Sequence, residues 1–97
     1  MREMELSWDA RKAKYNLAKH KVSFEEASTV LYDENAIEFF DPEHAKREDR
    51  FLMVGVSYRL RVLVVCYSLH KKGSEVGIIS ARRATKKEQK AYTRGKP

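Results

Sequence analysis

Cysteine, proline and glycine are scarce in this sequence of 97 residues, which contains one cysteine, two prolines and four glycines. A single cysteine cannot form an internal disulfide bond, and Cys66 stands within an apolar run, so we expect a small buried residue rather than a catalytic nucleophile. The low proline and glycine content argues against a long disordered segment. These scarcities exclude a disulfide-rich secreted scaffold and favour a folded chain.

Long apolar runs are also missing. The strongest run covers residues 62–67, which is about a third of the length that a membrane-spanning helix needs. The first six residues include two acids, where a signal peptide would place an apolar core. We therefore predict a cytoplasmic protein without membrane association. A chain of this length predicts one domain over residues 1–97.

Acidic residues are rare in both terminal parts of the chain. Residues 1–24 contain six Lys or Arg against three acids, residues 25–49 two against nine, and residues 50–97 twelve against two, within a net charge of +6. A separation of this kind indicates a basic face suited to a polyanion. A mixed, solvated surface would be compatible with the same counts.

Two helices are predicted near the N-terminus, after an alternating strand over residues 4–8. Ala10, Ala13 and Leu17 recur at spacings of three and four, which predicts the buried face of an amphipathic helix over residues 10–20. The opposite face of this helix is basic.

Side chains that cap helices mark where three helices begin. Asp9 is a candidate N-cap of the first helix. Ser23 with Glu26, and Thr85 with Glu88, have the spacing of capping boxes, in which two side chains satisfy free backbone N–H groups. The second helix is expected to end near residue 33, and the third near residue 93.

The remaining segments are rich in β-branched and aromatic residues and predict strands. The expected strands cover residues 36–40, 51–58, 61–69 and 75–81, with a turn at 41–44 and a hairpin between the second and third of them. Consecutive strands with short connections pair antiparallel, and we expect the helices to cover one face. The predicted fold is therefore α+β, an antiparallel sheet with two N-terminal helices and a short C-terminal helix.

Candidate catalytic residues lie on the first helix. Lys12, Asn16 and Lys19 recur at spacings of four and three, which places them on one helical face with His20 beside them. Lysines can hold a phosphate backbone, and an imidazole can transfer a proton near neutral pH. For His20, a cation favoured by the helix dipole is an equally good interpretation.

Arg82 is the first candidate for stabilising charge on phosphorus. It ends a predicted strand just before the second capping box, where backbone N–H groups also favour phosphate, and its guanidinium can donate two parallel hydrogen bonds to phosphate oxygens. A solvated charge at a strand end is the alternative. The candidates for binding a nucleic-acid backbone are mostly basic and concentrate near the C-terminus: Arg61, Arg83, Lys86, Lys87, Lys90 and Tyr92.

Residues that ligate metals are scattered along the chain. Three histidines and one cysteine show no metal-ligand spacing, so we predict no metal and no cofactor. His44 and His70 fall in predicted turns, where an exposed histidine is ordinarily a surface residue. Glu48 could act as a base, but an acid two residues from Arg50 is more often a surface charge.

Three stretches carry a family pattern in the right order over nearly the whole chain. They are Trp8-Asp9-x-x-Lys12 with Asn16 and Lys19-His20-x-Val22-Ser23-Phe24-Glu25-Glu26-Ala27; Glu48-Asp49-Arg50-Phe51 with Val54-Gly55-Val56-Ser57; and Ile78-Ile79-Ser80-Ala81-Arg82-Arg83-Ala84-Thr85-x-x-Glu88 with Tyr92. Together they resemble the BrnT family of toxin-antitoxin ribonucleases. The sequence departs from that pattern at Lys21 and Leu60, where glycine is common, and near His70 and at Gly77, where arginine is common.

The resemblance implies a fold similar to RelE-type toxins and an endoribonuclease that stops translation. The lack of metal-ligand spacing adds the expectation that cleavage is metal-independent. It also implies two partners, an RNA substrate and a small cognate antitoxin of the ribbon-helix-helix DNA-binding class. A non-catalytic nucleic-acid-binding or protein-interaction module is the alternative, because charge alone does not separate binding from cleavage.

Overall fold

Five strands and three helices follow one another along the chain, of which the computed structural model describes residues 4–40 and 50–94. In chain order they are strand β1 (Glu5–Trp8), helix α1 (Ala10–His20), helix α2 (Phe24–Val30), strands β2 (Ile37–Phe40), β3 (Arg50–Val56), β4 (Val62–His70) and β5 (Glu75–Arg83), and helix α3 (Lys86–Arg94). A short 3₁₀ turn, Lys71–Gly73, connects β4 to β5. This order confirms the α+β prediction.

The five strands form one sheet in the order β1-β5-β4-β3-β2. From β2 to β5, strands that follow one another in sequence pair antiparallel, as expected. β1 instead pairs parallel with β5, with Leu6 opposite Val76 and Trp8 opposite Ile78. The prediction of an antiparallel sheet is therefore wrong for this pair. No short turn connects β1 with β5, so nothing in the local sequence sets their relative direction.

The helices pack on both faces of the sheet. α1 and α2 cover a core made of Val22, Phe24, Ala27, Val30, Leu63, Val65, Ile78 and Ala81. α3 packs on a smaller cluster of Val54, Val64 and Ala84, to which Tyr92 contributes. Neighbouring residues on a strand point to opposite faces, so Val64 and Val65 belong to different layers. The expectation that all helices cover one face is wrong for α3.

The inner face of α1 differs from the predicted apolar stripe. Ala10 and Leu17 are exposed, and Leu17 retains 50% of its accessible surface. Ala13 packs on the core, and the polar Asn16 is buried. The side-chain amide of Asn16 donates to the carbonyl of Ala81 at 2.8 Å and accepts from the Ala81 N–H at 3.1 Å. β1 pairs with β5 only as far as Ile78, so Asn16 satisfies backbone groups that no strand reaches.

Two of the three predicted caps form as expected. The Asp9 carboxylate accepts from the N–H of Arg11 at 2.7 Å. Thr85 Oγ1 accepts from the Glu88 N–H at 3.1 Å, and the Glu88 carboxylate accepts from the Thr85 N–H at 2.8 Å. The Ser23 hydroxyl likewise accepts from the N–H at position 26.

Glu26 does not complete its capping box, because its carboxylate points into the protein. Arg61 donates two hydrogen bonds to it, one of them from Nε at 2.9 Å, and Ser57 Oγ donates a third at 2.7 Å. The hydrogen bond from Arg61 is the largest influence on Glu26 and holds its pKa below the ordinary value, although burial acts in the opposite direction. The ion pair connects α2 to the turn between β3 and β4.

Two departures from the family pattern have left-handed backbone conformations. Leu60 has φ of 64° in the turn between β3 and β4, and its N–H donates to the Ser57 carbonyl at 2.8 Å. Lys21 has φ of 61° at the end of α1. Glycine adopts this region without steric cost, and other residues do not. The left-handed backbone therefore explains why glycine is common at these two positions in the family pattern.

Parts of the sequence interpretation lie outside the described residues. The predicted turn at 41–44, His44 and Glu48 are among them. Within residues 4–40 and 50–94, no helix has the length and apolar character needed to cross a membrane. The cytoplasmic location and the RelE-like architecture stay predictions.

Candidate nucleic-acid interface

An open groove of about 510 Å³ runs between α1 and β5. Its lining, which we call the cationic groove, is Arg11, Lys12, Tyr15, Asn16, Lys19, His20, Ile79 and Ser80. Three residues predicted to be catalytic, Lys12, Lys19 and His20, thus line one groove. None of the described residues that line it is acidic, so the groove suits a phosphate backbone.

Asn16 takes a different part in this groove from the one its spacing suggests. Its amide is committed to Ala81 and to the Val22 carbonyl, at 3.0 Å, and the residue is 3% exposed. It cannot contact RNA in the way that the exposed Lys12 and Lys19 can. Sequence periodicity identifies a shared face, but it does not tell a buried amide from a binding one.

Tyr15 is a candidate that the sequence analysis missed. Its side chain is 66% exposed in the cationic groove, and Lys19 Nζ lies 5.6 Å from the centre of its ring. Exposed aromatic rings beside basic side chains are typical surfaces for stacking unpaired bases. The sequence could have indicated Tyr15, because this aromatic residue stands four positions before Lys19 on a polar face of the helix.

His20 ends α1 and is half-buried in the cationic groove. Its position satisfies both interpretations of the sequence, because it lies at a helix C-terminus and also beside Lys19 on the groove wall. A contact with the helix dipole would not prevent the imidazole from meeting a bound phosphate.

Arg82 is held by Glu88 in a bidentate ion pair. Arg82 Nη1 and Nη2 donate to the two carboxylate oxygens of Glu88, each at 2.9 Å, and Nη1 also donates to the Arg83 carbonyl at 3.3 Å. The hydrogen bonds from Arg82 lower the pKa of Glu88 to about 2, against the opposing effect of burial. Both partners are therefore charged at neutral pH. Arg82 is still 41% exposed. It is not among the residues that line the cationic groove, and its partner across the strands is Val64 of the α3 cluster.

Arg61, predicted to bind RNA, has little accessible surface. Its side chain is 18% exposed, and its guanidinium binds Glu26 and the Lys21 carbonyl at 3.1 Å. An RNA contact would require these bonds to break, so the geometry indicates a role in holding α2 and the hairpin together.

The other predicted RNA-binding residues surround α3. Arg83, Lys86, Lys87 and Lys90 are exposed. Tyr92 instead turns inwards, packs on the α3 cluster and donates its hydroxyl to Asp33 at 2.6 Å. Burial and this hydrogen bond raise the pKa of Tyr92 to about 12.

A second groove of about 330 Å³ opens beside the first. Its lining, which we call the polar groove, is Ser7, Trp8, Asp9, Lys12, Arg50, Ser68, His70, Gly77, Ile78 and Ile79. Lys12 and Ile79 line both grooves. The turn predicted from His70 to Ser74 begins one residue later, at Lys71, because His70 is the last residue of β4.

Comparison with protein families identifies the chain. The family described as "ribonuclease toxin, BrnT, of type II toxin-antitoxin system" matches residues 8–88. This chain belongs to the BrnT family. The crystal structure of the ribonuclease toxin BrnT of Brucella abortus is similar, with a TM-score of 0.66 and 25% identity over 86% of this chain and 99% of that one. No match was found among curated protein sequences.

The BrnT match confirms the family resemblance and covers the cationic groove and all of the polar groove except Ser7. It includes Lys12, Lys19, His20 and Arg82 and ends at Glu88. The similarity also agrees with the arrangement of one five-stranded sheet with three helices. The described residues contain no group of three or more His, Cys, Asp or Glu side chains placed to hold a metal ion.

Proposed function

We propose that this chain is a metal-independent endoribonuclease that cleaves cytoplasmic RNA and so stops translation. The observation that carries the proposal is the cationic groove, in which two lysines and an imidazole line one open surface. Its position within the range matched by a ribonuclease toxin family supports the same function.

The reaction proposed is attack of a ribose 2′-hydroxyl on the adjacent phosphorus. It needs a group that moves protons, cations that hold the phosphate, and a donor that stabilises the charge building on it. We assign proton transfer to His20, phosphate binding to Lys12 and Lys19, and charge stabilisation to Arg82. The three hydrogen bonds that Arg82 makes to Glu88 and to its neighbour's carbonyl leave two of its five N–H donors for a phosphate oxygen.

We assign contact with the RNA backbone to Arg83, Lys86, Lys87 and Lys90, which are exposed in and beside α3. Contacts of this kind contribute affinity that falls steeply with salt, because each neutralised phosphate releases counterions. Tyr92 and Arg61 are better explained as parts of the fold, since the hydroxyl of one and the guanidinium of the other already have protein partners.

Cleavage without metal is tested by incubating purified protein with RNA in excess chelator. We expect cleavage at the rate seen without chelator, and products that end in a 2′,3′-cyclic phosphate and a 5′-hydroxyl. Cleavage that returns only when magnesium, manganese or zinc is added would contradict the mechanism. Binding without cleavage under all of these conditions would favour the non-catalytic module.

The roles of Arg82 and the α3 lysines can be separated by single-turnover cleavage at saturating RNA. Arg82→Ala should lower the rate by about two to three orders of magnitude, the effect of losing one stabilising donor. The double change Lys86→Ala, Lys87→Ala should leave that rate intact, weaken RNA binding and flatten its salt dependence. Thermal melting controls for folding. Arg82→Ala cleaving at the parental rate would remove Arg82 from the catalytic set.

A type II toxin has a cognate antitoxin, and we propose that here it is a ribbon-helix-helix DNA-binding protein. The proposal follows from the family resemblance, and the exposed basic residues of α3 suit an acidic partner segment. Co-expression with the product of the adjacent small gene should restore growth and allow co-purification. Growth inhibition that persists while the two proteins are bound would contradict a neutralising role.

A further inference from the structure

The side chains of Ser68 and His70 project from the sheet face opposite α1 and α2, into the polar groove. His70 Nε2 lies 2.9 Å from Ser68 Oγ, within a hydrogen bond, and Ser68 is only 5% exposed. His70 itself is exposed, so a ligand in the groove can reach its ring.

Gly77 of β5 provides the space that the imidazole occupies. A Cβ atom at this position would lie 3.3 Å from His70 Nε2 and 3.2 Å from Ser68 Oγ, closer than most such contacts. The absence of a side chain at Gly77 thus lets the ring lie against the sheet beside its hydrogen-bond partner. Gly77 pairs directly with Ser68 between the two strands, which fixes this arrangement.

The polar groove and the cationic groove adjoin at Lys12 and Ile79, which line both. An RNA strand that crosses Lys12 could enter both grooves, one lined by His20 and the other by His70. The two imidazoles come from different elements, α1 and β4, and the sequence gives no sign that they share a surface.

We propose that His70 is a second proton-transfer residue of this ribonuclease, working with His20 on a phosphate held by Lys12. The proposal rests on the ribonuclease function argued above. One imidazole takes the proton of the 2′-hydroxyl as its oxygen forms a bond to phosphorus. The other gives a proton to the 5′-oxygen as the P–O5′ bond breaks. The products are a 2′,3′-cyclic phosphate and a 5′-hydroxyl, with no net gain or loss of protons.

Ser68 and Gly77 act as positioning residues for this imidazole. In the tautomer whose Nε2–H donates to Ser68 Oγ, Nδ1 is the nitrogen that can exchange a proton with RNA. Three charged residues line the polar groove together with His70: Asp9, Lys12 and Arg50. Glu75 is the partner of His70 on β5. Lys71 follows His70 in the chain, and its Nζ lies 3.8 Å from the Glu75 carboxylate.

The role of His70 is tested by single-turnover cleavage at saturating RNA with the His70→Ala variant. The control variant is Lys72→Ala, because Lys72 is an exposed cation in the adjoining turn. His70→Ala should lose about 10²- to 10⁴-fold in rate, the contribution of a positioned acid or base, with unchanged RNA affinity and melting temperature. Added imidazole should restore part of the rate, because the groove has room for it, and should not stimulate the parent. Gly77→Ala should slow cleavage without weakening RNA binding.

A substrate with sulfur in place of the 5′-oxygen assigns the role, because a thiolate leaves without a general acid. If His70→Ala cleaves this substrate at the parental rate, His70 is the general acid. If its cleavage rate stays low, His70 is the general base. His70→Ala cleaving at the parental rate, or losing only RNA affinity, overturns the proposal while the ribonuclease function stands. A parent that leaves RNA intact overturns both.

Discussion

Replacing the buried Glu26 with alanine should destabilise the fold more than any change at the surface. Glu26 is 2% exposed, and Arg61, its bidentate partner, is 18% exposed. Removing one member of such a pair leaves the other charge without compensation in a poorly solvated site, at a cost of about 3–5 kcal/mol. Ser57 Oγ also loses the carboxylate to which it donates at 2.7 Å.

A loss of this size is a large fraction of the total, because domains of this length unfold with only about 5–15 kcal/mol. It corresponds to a fall in melting temperature of roughly 12–40 °C. Urea denaturation at pH 7 measures the change directly, with the exposed neighbour Glu25→Ala as the control, which should change stability by less than about 0.5 kcal/mol.

The double variant Glu26→Met, Arg61→Met separates the ion pair from the general packing at this site. It should recover much of the lost stability, because neither side chain then leaves an unpaired charge. The hydrogen bond from Arg61 lowers the pKa of Glu26 from 4.5. The contribution of Glu26 is therefore complete above pH 4.5 and is lost as pH falls through the lower folded-state value. A free energy of unfolding for Glu26→Ala within about 1 kcal/mol of the parental value at pH 7 would refute this account.

Three further changes follow from individual contacts. Leu60→Gly should stabilise the protein by about 0.5–1 kcal/mol, because glycine relieves a left-handed backbone at an exposed position, whereas Leu60→Ala should not; destabilisation by glycine in urea titrations would contradict the strain argument. Asn16→Ala should cost about 2–4 kcal/mol, because it leaves the Ala81 N–H and carbonyl unsatisfied, and hydrogen exchange at Ala81 should accelerate; slow exchange there would show that the amide is dispensable. Tyr15→Ala should weaken binding of single-stranded RNA by about 1–3 kcal/mol without changing its salt slope, and unchanged fluorescence anisotropy titrations would exclude base stacking.

Local signals in the sequence predicted the parts of the fold that depend on local chemistry. Asp9 and Thr85 begin their helices as expected, because an N-cap needs only a side-chain oxygen and the adjacent N–H groups. The parallel pairing of β1 was missed because it depends on contacts between residues about 70 positions apart, from Leu6 to Val76. The capping box predicted for Glu26 formed only in part, because a partner distant in sequence, Arg61, competes for the carboxylate.

In the candidate site, too, local sequence patterns predicted some features, and contacts between separate elements determined the others. Helical spacing was enough to bring Lys12, Lys19 and His20 together. Arg82 was predicted to be a cation at the end of a strand. Glu88 was predicted only to cap a helix, and its ion pair with Arg82 was not predicted because it connects a strand to a helix. His70 was missed because β4 extends one residue beyond the predicted strand and places the imidazole on the sheet.

The amide of Asn16 also bears on how copies of this chain behave toward each other. Backbone groups left open at the edge of a sheet recruit strands from other molecules. β1 protects β5 only up to Ile78, and beyond that point the amide occupies the donor and acceptor of Ala81. A leucine at position 16 could fill the same space and strengthen the apolar core while leaving this edge open. Self-association, rather than loss of folding, would then be the first consequence of the change.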